Sequence, residues 1–509
     1  MEARSHGKEV ADPVIFSSWA FAKFFAMVLI AVWIARTRTQ RQFILLCASI
    51  VFYAHWNARY LFLLATPSVI DYVCARQIER ADAGRLKRRW LWASVASNVG
   101  LLAYFKYANF FIGNVSTLIG HRFPHLDILL PVGISFYTFK TLSYTIDVYR
   151  GEIAACHNLW KYAMFVTYFP ELVAGPIVRA SVFLPQMTRS LRPSWSRFVV
   201  GSQLLLLGLT KKIVVADRMA PFVNAVFGYP ERFSGLTIAS AVVAYSLQIY
   251  CDFSGYSDMA IGISRIIGFD LPENFNMPYL ATSVTEFWRR WHITLSSWLR
   301  DYLYIPLGGN RKGRRRAQAN LMITMMLGGL WHGASWNFVI WGLLHGVGLV
   351  VHKLWAGRRP VQVPRIVSWA LTYGFVCLTW IFFRAQSLDI AWLMVKRIAG
   401  FDAAGVTFAY LPLFLLLPLV IAAHCVGVLV AKQATVEGSR PRRIAAPTIL
   451  ARLFSDSGTP FATRPHKQSG TYALLPMRTA TGGFVATMWL LAVVLFGSLD
   501  TSPFIYFQF

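Results

Sequence analysis

Long apolar runs alternate with short polar or basic stretches along almost the whole chain. The first run covers residues 14–35, and the basic segment RTRTQR (Arg36 to Arg41) follows it. Further runs begin near Phe43, Trp90, Ile128, Tyr162, Val199, Ile238, Leu321, Trp336, Ile366, Tyr410 and Phe484. A helix needs about 20 mostly apolar residues to cross a bilayer, so the pattern predicts roughly ten to twelve membrane helices, some short or tilted. We therefore predict an all-α polytopic membrane protein.

Composition supports this prediction. Of the 509 residues, 56% are hydrophobic and 14% are charged, whereas soluble domains carry about 25% charged residues. Soluble enzymes, disordered chains and fibrous repeats are therefore poor interpretations. The charge is nevertheless strongly positive, because 50 Lys and Arg against 23 Asp and Glu give +27.

The positions of the basic residues decide what this charge means. They form short clusters between apolar runs, which is the pattern of cytoplasmic loops under the positive-inside rule. Nucleic-acid binding would need a contiguous basic face or a known module, and the sequence shows neither. We therefore predict membrane lipid as a partner and no nucleic acid.

The same pattern divides the chain into segments. We expect a disordered extension over residues 1–13, a membrane domain over 14–430, a basic cytoplasmic loop over 431–482, and a final helix and tail over 483–509. The loop carries eight Lys and Arg residues and two acids. The first apolar run is longer than the h-region of a signal peptide, so we interpret it as a retained helix.

The cysteines indicate neither a disulfide framework nor a zinc site. Six of them are scattered, mostly in apolar segments, and no C-x-x-C pair occurs. We predict small buried apolar residues and no metal.

Polar residues concentrate between Gln248 and Gly346, where an apolar environment makes them costly. Asp252, Ser254, Gly255, Ser257 and Asp258 interrupt one span, which predicts a helix break or close helix packing. Either aspartate could be a functional acid. We favour a structural role, in which they cap helices at a break or pair with Arg265, because six positions do not place two carboxylates on one helical face.

An amphipathic helix is predicted next, in TSVTEFWRRWHITLSSWLRDYLYIPLGGN. Ser283 and Glu286 have capping-box spacing, Glu286 and Arg290 are spaced for a helical pair, and Gly308 and Gly309 end the segment. Such a helix lies at an interface or lines a water-filled funnel. His292 lies on it, either as a polar interface residue or with a chemical role.

His332 is the strongest single candidate from the residues alone. It lies in a strongly apolar span, and Gly328, Gly329 and Gly333 leave room beside it for a substrate or another helix. It either hydrogen-bonds a neighbouring helix or serves as a general base toward a hydroxyl that attacks a thioester. His345 is a weaker candidate. The sequence has no G-x-S-x-G elbow and no phosphate-binding P-loop.

The sequence closely resembles the membrane-bound O-acyltransferase family, and within it the membrane subunits that O-acetylate alginate in bacteria. The matching segments, which occur in order over nearly the whole chain, are LPVGISFYTF, YFPELVAGPIVR, GLTKKIVVADR, QIYCDFSGYSDMAIG, EFWRRWHITLSSWLRDYLYIPLGGNRKG, LWHGASWNF and WIFFRA.

The resemblance implies a site and a fold. It assigns the near-invariant family histidine to His332 and the second family histidine to His292, both facing a central tunnel inside a catalytic core of about residues 130–350. We predict that five further residues line this tunnel: Asp252, Ser254, Trp331, Trp336 and Asn337.

The resemblance also implies an activity. It points to an O-acetyltransferase of the bacterial inner membrane, with acetyl-CoA or a similar thioester as donor and no permanently bound cofactor. The acetyl group would be passed outward to a periplasmic serine-type (SGNH-like) partner and then to an exopolysaccharide such as alginate. A basic segment, Arg311 with Arg314, Arg315 and Arg316, either attracts donor phosphates or only sets topology. His332 would be a general base or an acyl carrier.

Two other functions are considered. One is transfer of a different acyl group, such as D-alanine from a carrier protein to a cell-wall polymer. The other is a non-catalytic channel or export scaffold, against which the two histidines argue because a scaffold needs no buried imidazole.

Overall fold

The computed structural model describes residues 16–172, 174–188, 194–357, 363–436, 480–497 and 504–505. Residues 1–13, predicted as an extension, lie outside this part. The chain divides into two compact units, residues 1–193 and 194–509. Within the described residues the only β structure is an isolated bridge between Phe233 and Val406.

The first unit is a set of helices with short connections. They are α1 (Trp19–Ile34), α2 (Arg38–Asn57), α3 (Tyr60–Arg80), α4 (Gly84–Leu102), α5 (Ala108–Ile119), α6 (Ile134–Arg150), α7 (Leu159–Thr167), α8 (Phe169–Leu172) and α9 (Ala180–Phe183). Thr37 and Gln40 form a capping box that starts α2. Lys140 on α6 and Glu171 on α8 form a buried ion pair of 2.9 Å inside this unit.

The second unit contains the residues singled out from the sequence. Its helices are α10 (Trp195–Leu209), α11 (Asp217–Gly228), α12 (Gly235–Ile267), α13 (Val284–Arg290), α14 (Ile293–Leu299), α15 (Arg314–His332), α16 (Trp336–Ala356), α17 (Arg365–Arg384), α18 (Leu388–Ala399), α19 (Leu411–Val436) and α20 (Ala480–Phe496). A π-helical turn, Thr210–Ala216, joins α10 to α11, and another, Arg300–Tyr304, extends α14.

Five described helical segments are long and apolar enough to cross a membrane. They are α3, the run Trp195–Gly228, α12, α16 and α17, and three shorter apolar segments are Trp19–Ile34, Leu411–His424 and Gly483–Phe496. The all-α polytopic architecture predicted from the alternating runs is confirmed. The predicted basic loop over 431–482 overlaps the end of α19 and the start of α20, and residues 437–479 lie outside the described part.

Helix α12 is the central element of the second unit. It runs without interruption for 33 residues, so the predicted break near Asp252 is wrong. The small residues permit close packing instead. An added Cβ at Gly208 would lie 2.4 Å from the carbonyl oxygen of Gly255, and one at Gly201 would lie 2.6 Å from that of Gly262. Glycine therefore lets α10 approach α12 at backbone distance.

A similar contact joins α15 to α16 and thereby places His332. An added Cβ at Gly329 would lie 2.2 Å from the carbonyl oxygen of Phe338, and one at Gly342 would lie 2.3 Å from that of Met325. At Gly333 an added Cβ would lie 2.0 Å from the Phe338 ring. Of the two occupants predicted for the space beside these glycines, the neighbouring helix is the one observed.

Candidate functional site

His292 lies between two helices rather than on one. Helix α13 ends at Arg290, α14 begins at Ile293, and His292 itself has φ 42° and ψ 56°, in the left-handed region. This conformation is uncommon for a residue other than glycine and interrupts a helix. The predicted continuous amphipathic helix is therefore wrong at this point. Its start is correct, because the Ser283 hydroxyl caps α13 by accepting from the Glu286 N–H.

The loop before α13 satisfies both helix ends at this break. The N–H of Asn276 donates to the carbonyl of Arg290 at 2.8 Å, and the N–H of Ile293 donates to the carbonyl of Asn274 at 2.8 Å. These are backbone groups that helix termini leave without an intrahelical partner. The loop is thus the reason that the left-handed residue is tolerated.

A charged pair supports the same turn. Glu286 accepts from the N–H and hydroxyl of Thr282 at 2.8 and 2.9 Å, and from Arg290 at 2.8 Å. Burial raises the pKa of the Glu286 carboxyl, but the Thr282 hydrogen bonds and the Arg290 charge outweigh it, so the net pKa is below its usual value. Arg290 also donates to the carbonyl of Asn276 at 3.2 Å.

The imidazole of His292 is fully buried among aromatic rings. The Phe253 ring meets it edge-to-face at 4.7 Å between centroids, and the Phe275 ring stacks at 6.4 Å. Among the described residues its hydrogen-bond partner is Asn274, whose Oδ1 lies 3.0 Å from Nδ1. The site is therefore apolar with a single oriented hydrogen bond.

His332 is the last residue of α15 and is 4% exposed. Three aromatic rings surround its imidazole in edge-to-face contacts: Trp331 at 4.9 Å, Trp341 at 5.1 Å and Phe383 at 5.2 Å. The helix ends here because Gly333 has extended backbone angles. His332 is thereby held at a helix end, beside its own helix and against α16 and α17.

Trp331 connects the two histidines. Its ring lies 6.2 Å from that of His292 and 4.9 Å from that of His332, between centroids. Two imidazoles from separate elements thus contact one indole in the interior of the second unit. Their catalytic roles and the predicted tunnel remain predictions.

His345 is held as a structural residue. Its Nδ1 accepts from the indole N–H of Trp288 at 3.2 Å, and its Nε2 lies 3.0 Å from the hydroxyl of Thr379. The Thr379 hydroxyl already donates to the carbonyl of Val376, so Nε2 of His345 donates to it. Both ring nitrogens of His345 therefore have hydrogen-bond partners, which agrees with its being a weaker catalytic candidate than His332.

Asp252 and Asp258 are paired with lysines of the π-helical turn. Lys212 lies 2.7 Å from Asp252 and 2.8 Å from Asp217, and Lys211 lies 2.8 Å from Asp258. Both acids are thus held in ion pairs, in line with the structural role favoured for them, and the place of Asp252 along a tunnel stays a prediction. The partner suggested for them, Arg265, pairs with Asp270 instead, at 3.6 Å.

The other residues predicted to line a tunnel are placed differently from one another. Ser254 is 1% exposed in the middle of α12. Trp336 is 54% exposed at the start of α16. Asn337 is buried and donates from Nδ2 to the carbonyl of Ala385 at 2.6 Å, at the end of α17. Trp331 is therefore the member of this set that contacts both histidines.

The basic segment spans a turn and the start of a helix. Arg311 is exposed and donates to the carbonyl of Ile305 at 3.2 Å. Arg314, Arg315 and Arg316 are exposed in the first turn of α15. The N-terminus is the positive end of the helix dipole, and the three arginines add their charges to it, so this end of α15 is strongly electropositive.

Three features of the site were not identified from the sequence. They are the left-handed backbone of His292, the role of Asn274, and the pairing of Lys211 and Lys212 with acids on α12. The segments EFWRRWHITL, ENFNMP and GLTKK contain these residues, but their spacing alone does not indicate the partners. No group of three or more metal-binding side chains occurs in the part of the chain that the structure describes.

Comparison with known proteins decides the family. The family model described as membrane-bound O-acyltransferase matches residues 149–392. A probable alginate O-acetylase of Azotobacter vinelandii is 37% identical over 97% of this chain and 100% of its own length. The chain belongs to the membrane-bound O-acyltransferase family.

Two further proteins are similar over less of the chain. A peptidoglycan O-acetyltransferase of Helicobacter pylori is 38% identical over 72% of this chain and 75% of its own length. A teichoic acid D-alanyltransferase of Streptococcus thermophilus is 28% identical over 45% of this chain and 58% of its own length. This protein is therefore a multi-pass membrane O-acyltransferase, as predicted.

Proposed function

We propose that this protein takes acetyl from a cytoplasmic thioester, such as acetyl-CoA, and passes it across the bacterial inner membrane for O-acetylation of an exopolysaccharide such as alginate. A periplasmic serine-type partner would complete the transfer to sugar hydroxyls. Support for acetyl comes from the alginate O-acetylase and peptidoglycan O-acetyltransferase relatives, which are more similar to this chain than the D-alanyltransferase is. Transfer of D-alanine is the second candidate.

The observation that carries the proposal is the placement of His332. An imidazole sits at the end of α15 inside a cluster of aromatic rings, with His292 across Trp331. Aromatic walls exclude water and strengthen polar interactions with a bound reactant. Such a site protects a thioester from hydrolysis while it reacts.

His332 supports two forms of acyl transfer. As a general base, its nitrogen takes the proton of an attacking hydroxyl, the oxygen bonds to the thioester carbonyl carbon, and the carbon–sulfur bond breaks as the thiolate takes that proton. As a nucleophile, its nitrogen bonds to the carbonyl carbon and the carbon–sulfur bond breaks, so that the thiolate leaves. The hydroxyl oxygen then bonds to the acyl carbon, the carbon–nitrogen bond breaks, and the hydroxyl proton passes through the imidazole to the thiolate. Both forms release the thiol and form an ester.

The exposed arginines of α15 bind the phosphates of the donor in this proposal. Arg314, Arg315 and Arg316 add their charges to the positive end of α15, whose other end carries His332. This arrangement attracts the phosphates of coenzyme A through the electrostatic field of the helix end.

The test compares His332→Ala with wild type in a strain whose own gene is deleted. We expect loss of alkali-released acetate from the polymer with normal amounts of the protein in the membrane. Full acetylation at a normal protein level would refute the catalytic assignment. Purified protein incubated with labelled acetyl-CoA separates the enzyme from a scaffold, because a scaffold neither binds nor consumes the donor.

A further inference from the structure

The side chain that holds His292 comes from a loop rather than from a neighbouring helix. Asn274 lies between α12 and α13 and is 1% exposed. Its Oδ1 lies 3.0 Å from Nδ1 of His292 and accepts from the hydroxyl and the N–H of Thr294 at 2.8 and 3.3 Å. One amide oxygen thus gathers three contacts at the break between α13 and α14.

The orientation of this amide follows from its partners. A backbone N–H only donates, so the Asn274 atom facing the N–H of Thr294 must be the oxygen. The amide nitrogen, Nδ2, points to the other side and donates to the hydroxyl of Ser257 on α12 at 3.2 Å. Reversing the amide would place two donors together at Thr294.

The oriented oxygen determines which nitrogen of His292 carries the proton. An amide oxygen has no hydrogen to donate, so Nδ1 of His292 must be the donor in this contact. In a neutral imidazole the remaining nitrogen, Nε2, then holds the free lone pair. Within the described residues Nε2 is buried and has no hydrogen-bond partner.

We propose that Asn274 is a positioning residue that holds His292 in the Nδ1–H form and so leaves Nε2 as the atom that accepts a hydrogen bond from the reactants. The fitting group is a hydroxyl or an amide N–H, as found on the acceptor or on the pantetheine arm of a thioester donor. This inference rests on the proposed function for its consequence, but the tautomer itself does not depend on it.

The surroundings of His292 favour a neutral ring. The rings of Phe253 and Phe275 contact it, Trp331 lies beyond, and the Asn274 amide carries no charge. A carboxylate in place of the amide would stabilise the imidazolium, which has no lone pair to offer. Asparagine supplies the orienting bond without that charge.

The direct test measures the tautomer in the full-length protein. Protein labelled with ¹⁵N in histidine is compared with His292→Asn, so that the signals of His292 are assigned by subtraction. We expect Nδ1 of His292 to give the shift of a protonated nitrogen and Nε2 that of an unprotonated one. The opposite tautomer in the wild type would overturn the proposal, independently of any effect of Asn274 variants.

Two variants then separate positioning from general support. Asn274→Leu removes the oxygen at similar size, and we expect a changed tautomer population with a fall in kcat on the order of tenfold. Ser257→Ala is the matched control, because it removes the bond to Nδ2 of the same side chain and leaves the Nδ1 contact intact. We expect the wild-type tautomer and near-normal kcat for it.

The outcomes distinguish the two proposals. An unchanged tautomer in folded Asn274→Leu refutes the positioning role. A changed tautomer together with full acetyl transfer upholds the assignment of Asn274 and refutes the use of His292 in the reaction.

Discussion

The ammonium group of Lys212 lies 2.7 Å from the carboxylate of Asp252, and both side chains are almost completely buried. Lys212 also reaches Asp217 at 2.8 Å, so one cation serves two acids. The other oxygen of Asp252 accepts the N–H of Ile505 at 2.7 Å. Asp252, a candidate functional acid in the sequence, therefore connects α12 to the π-helical turn through Lys212 and to the C-terminal segment through Ile505.

Replacing Lys212 with methionine should destabilise the protein strongly. The change leaves Asp217 and Asp252 buried without their shared cation, and breaking a buried pair in this way costs about 3–5 kcal/mol. Thermal unfolding of the purified protein in detergent measures the loss. Lys211→Met is the matched control, since its partner Asp258 is more exposed, and we expect a smaller fall in Tm. Equal effects would argue against the shared-cation interpretation.

Ile505→Pro should weaken the attachment of the C-terminal segment. Proline removes the N–H that binds Asp252, and a hydrogen bond to a charged group contributes about 1.5–3 kcal/mol. Phe504 packs on Tyr256 at 4.3 Å and on Phe253 at 5.8 Å, and Phe253 contacts His292, so we also expect lower activity. Ile505→Ala keeps the N–H and should retain more of both. Identical behaviour of the two variants would count against the backbone bond.

Gly329→Ala should disturb the packing that places His332. The new methyl group would lie 2.2 Å from the carbonyl oxygen of Phe338, which forces α15 and α16 apart. Overpacking of this kind costs typically about 1–3 kcal/mol. Gly374→Ala in α17 is the control, because an added Cβ there meets nothing within 4 Å. We expect Gly329→Ala to lower both Tm and kcat, whereas a Tm equal to that of Gly374→Ala would contradict this packing.

Glu286→Gln should reduce stability at neutral pH but not in acid. The pKa of Glu286 is lowered in the folded protein, so its carboxylate stabilises the fold above the unfolded value of 4.5, and this contribution disappears as the pH falls through the lower folded value. Thermal unfolding from pH 7 downwards should show wild type above the variant, with the two curves converging below pH 4.5. A constant difference across this range would show that charge at Glu286 is unimportant.

Charge reversal at Arg314, Arg315 and Arg316 should raise the apparent KM for the thioester donor. The arginines attract its phosphates, and this attraction weakens with salt, so the difference from wild type should shrink at high ionic strength. The same reversal at Arg85, Arg88 and Arg89, exposed in the first unit, is a control for total charge. An unchanged KM would reduce the segment to a signal for membrane topology.

The class of the protein and its main candidate residue follow from the amino-acid sequence alone. Alternating apolar runs suffice for the all-α polytopic fold because each run must meet the same bilayer thickness, independently of its partners. The helix start at Ser283 is likewise readable from the sequence, since a helix N-cap depends on residues within one turn. His332 was identifiable because an imidazole in an apolar span stands out locally.

The conformation and the partners of those residues depend on contacts between elements that are distant in the sequence. The break at His292 depends on a loop whose backbone groups form hydrogen bonds with two helix ends. No local pattern predicts that Asn274, 18 positions away, contacts His292. Asp252 was ambiguous in the sequence because its partner Lys212 comes from another helix. Periodicity describes one element at a time, whereas ion pairing, tautomer choice and the meeting of His292 and His332 at Trp331 depend on distances between elements.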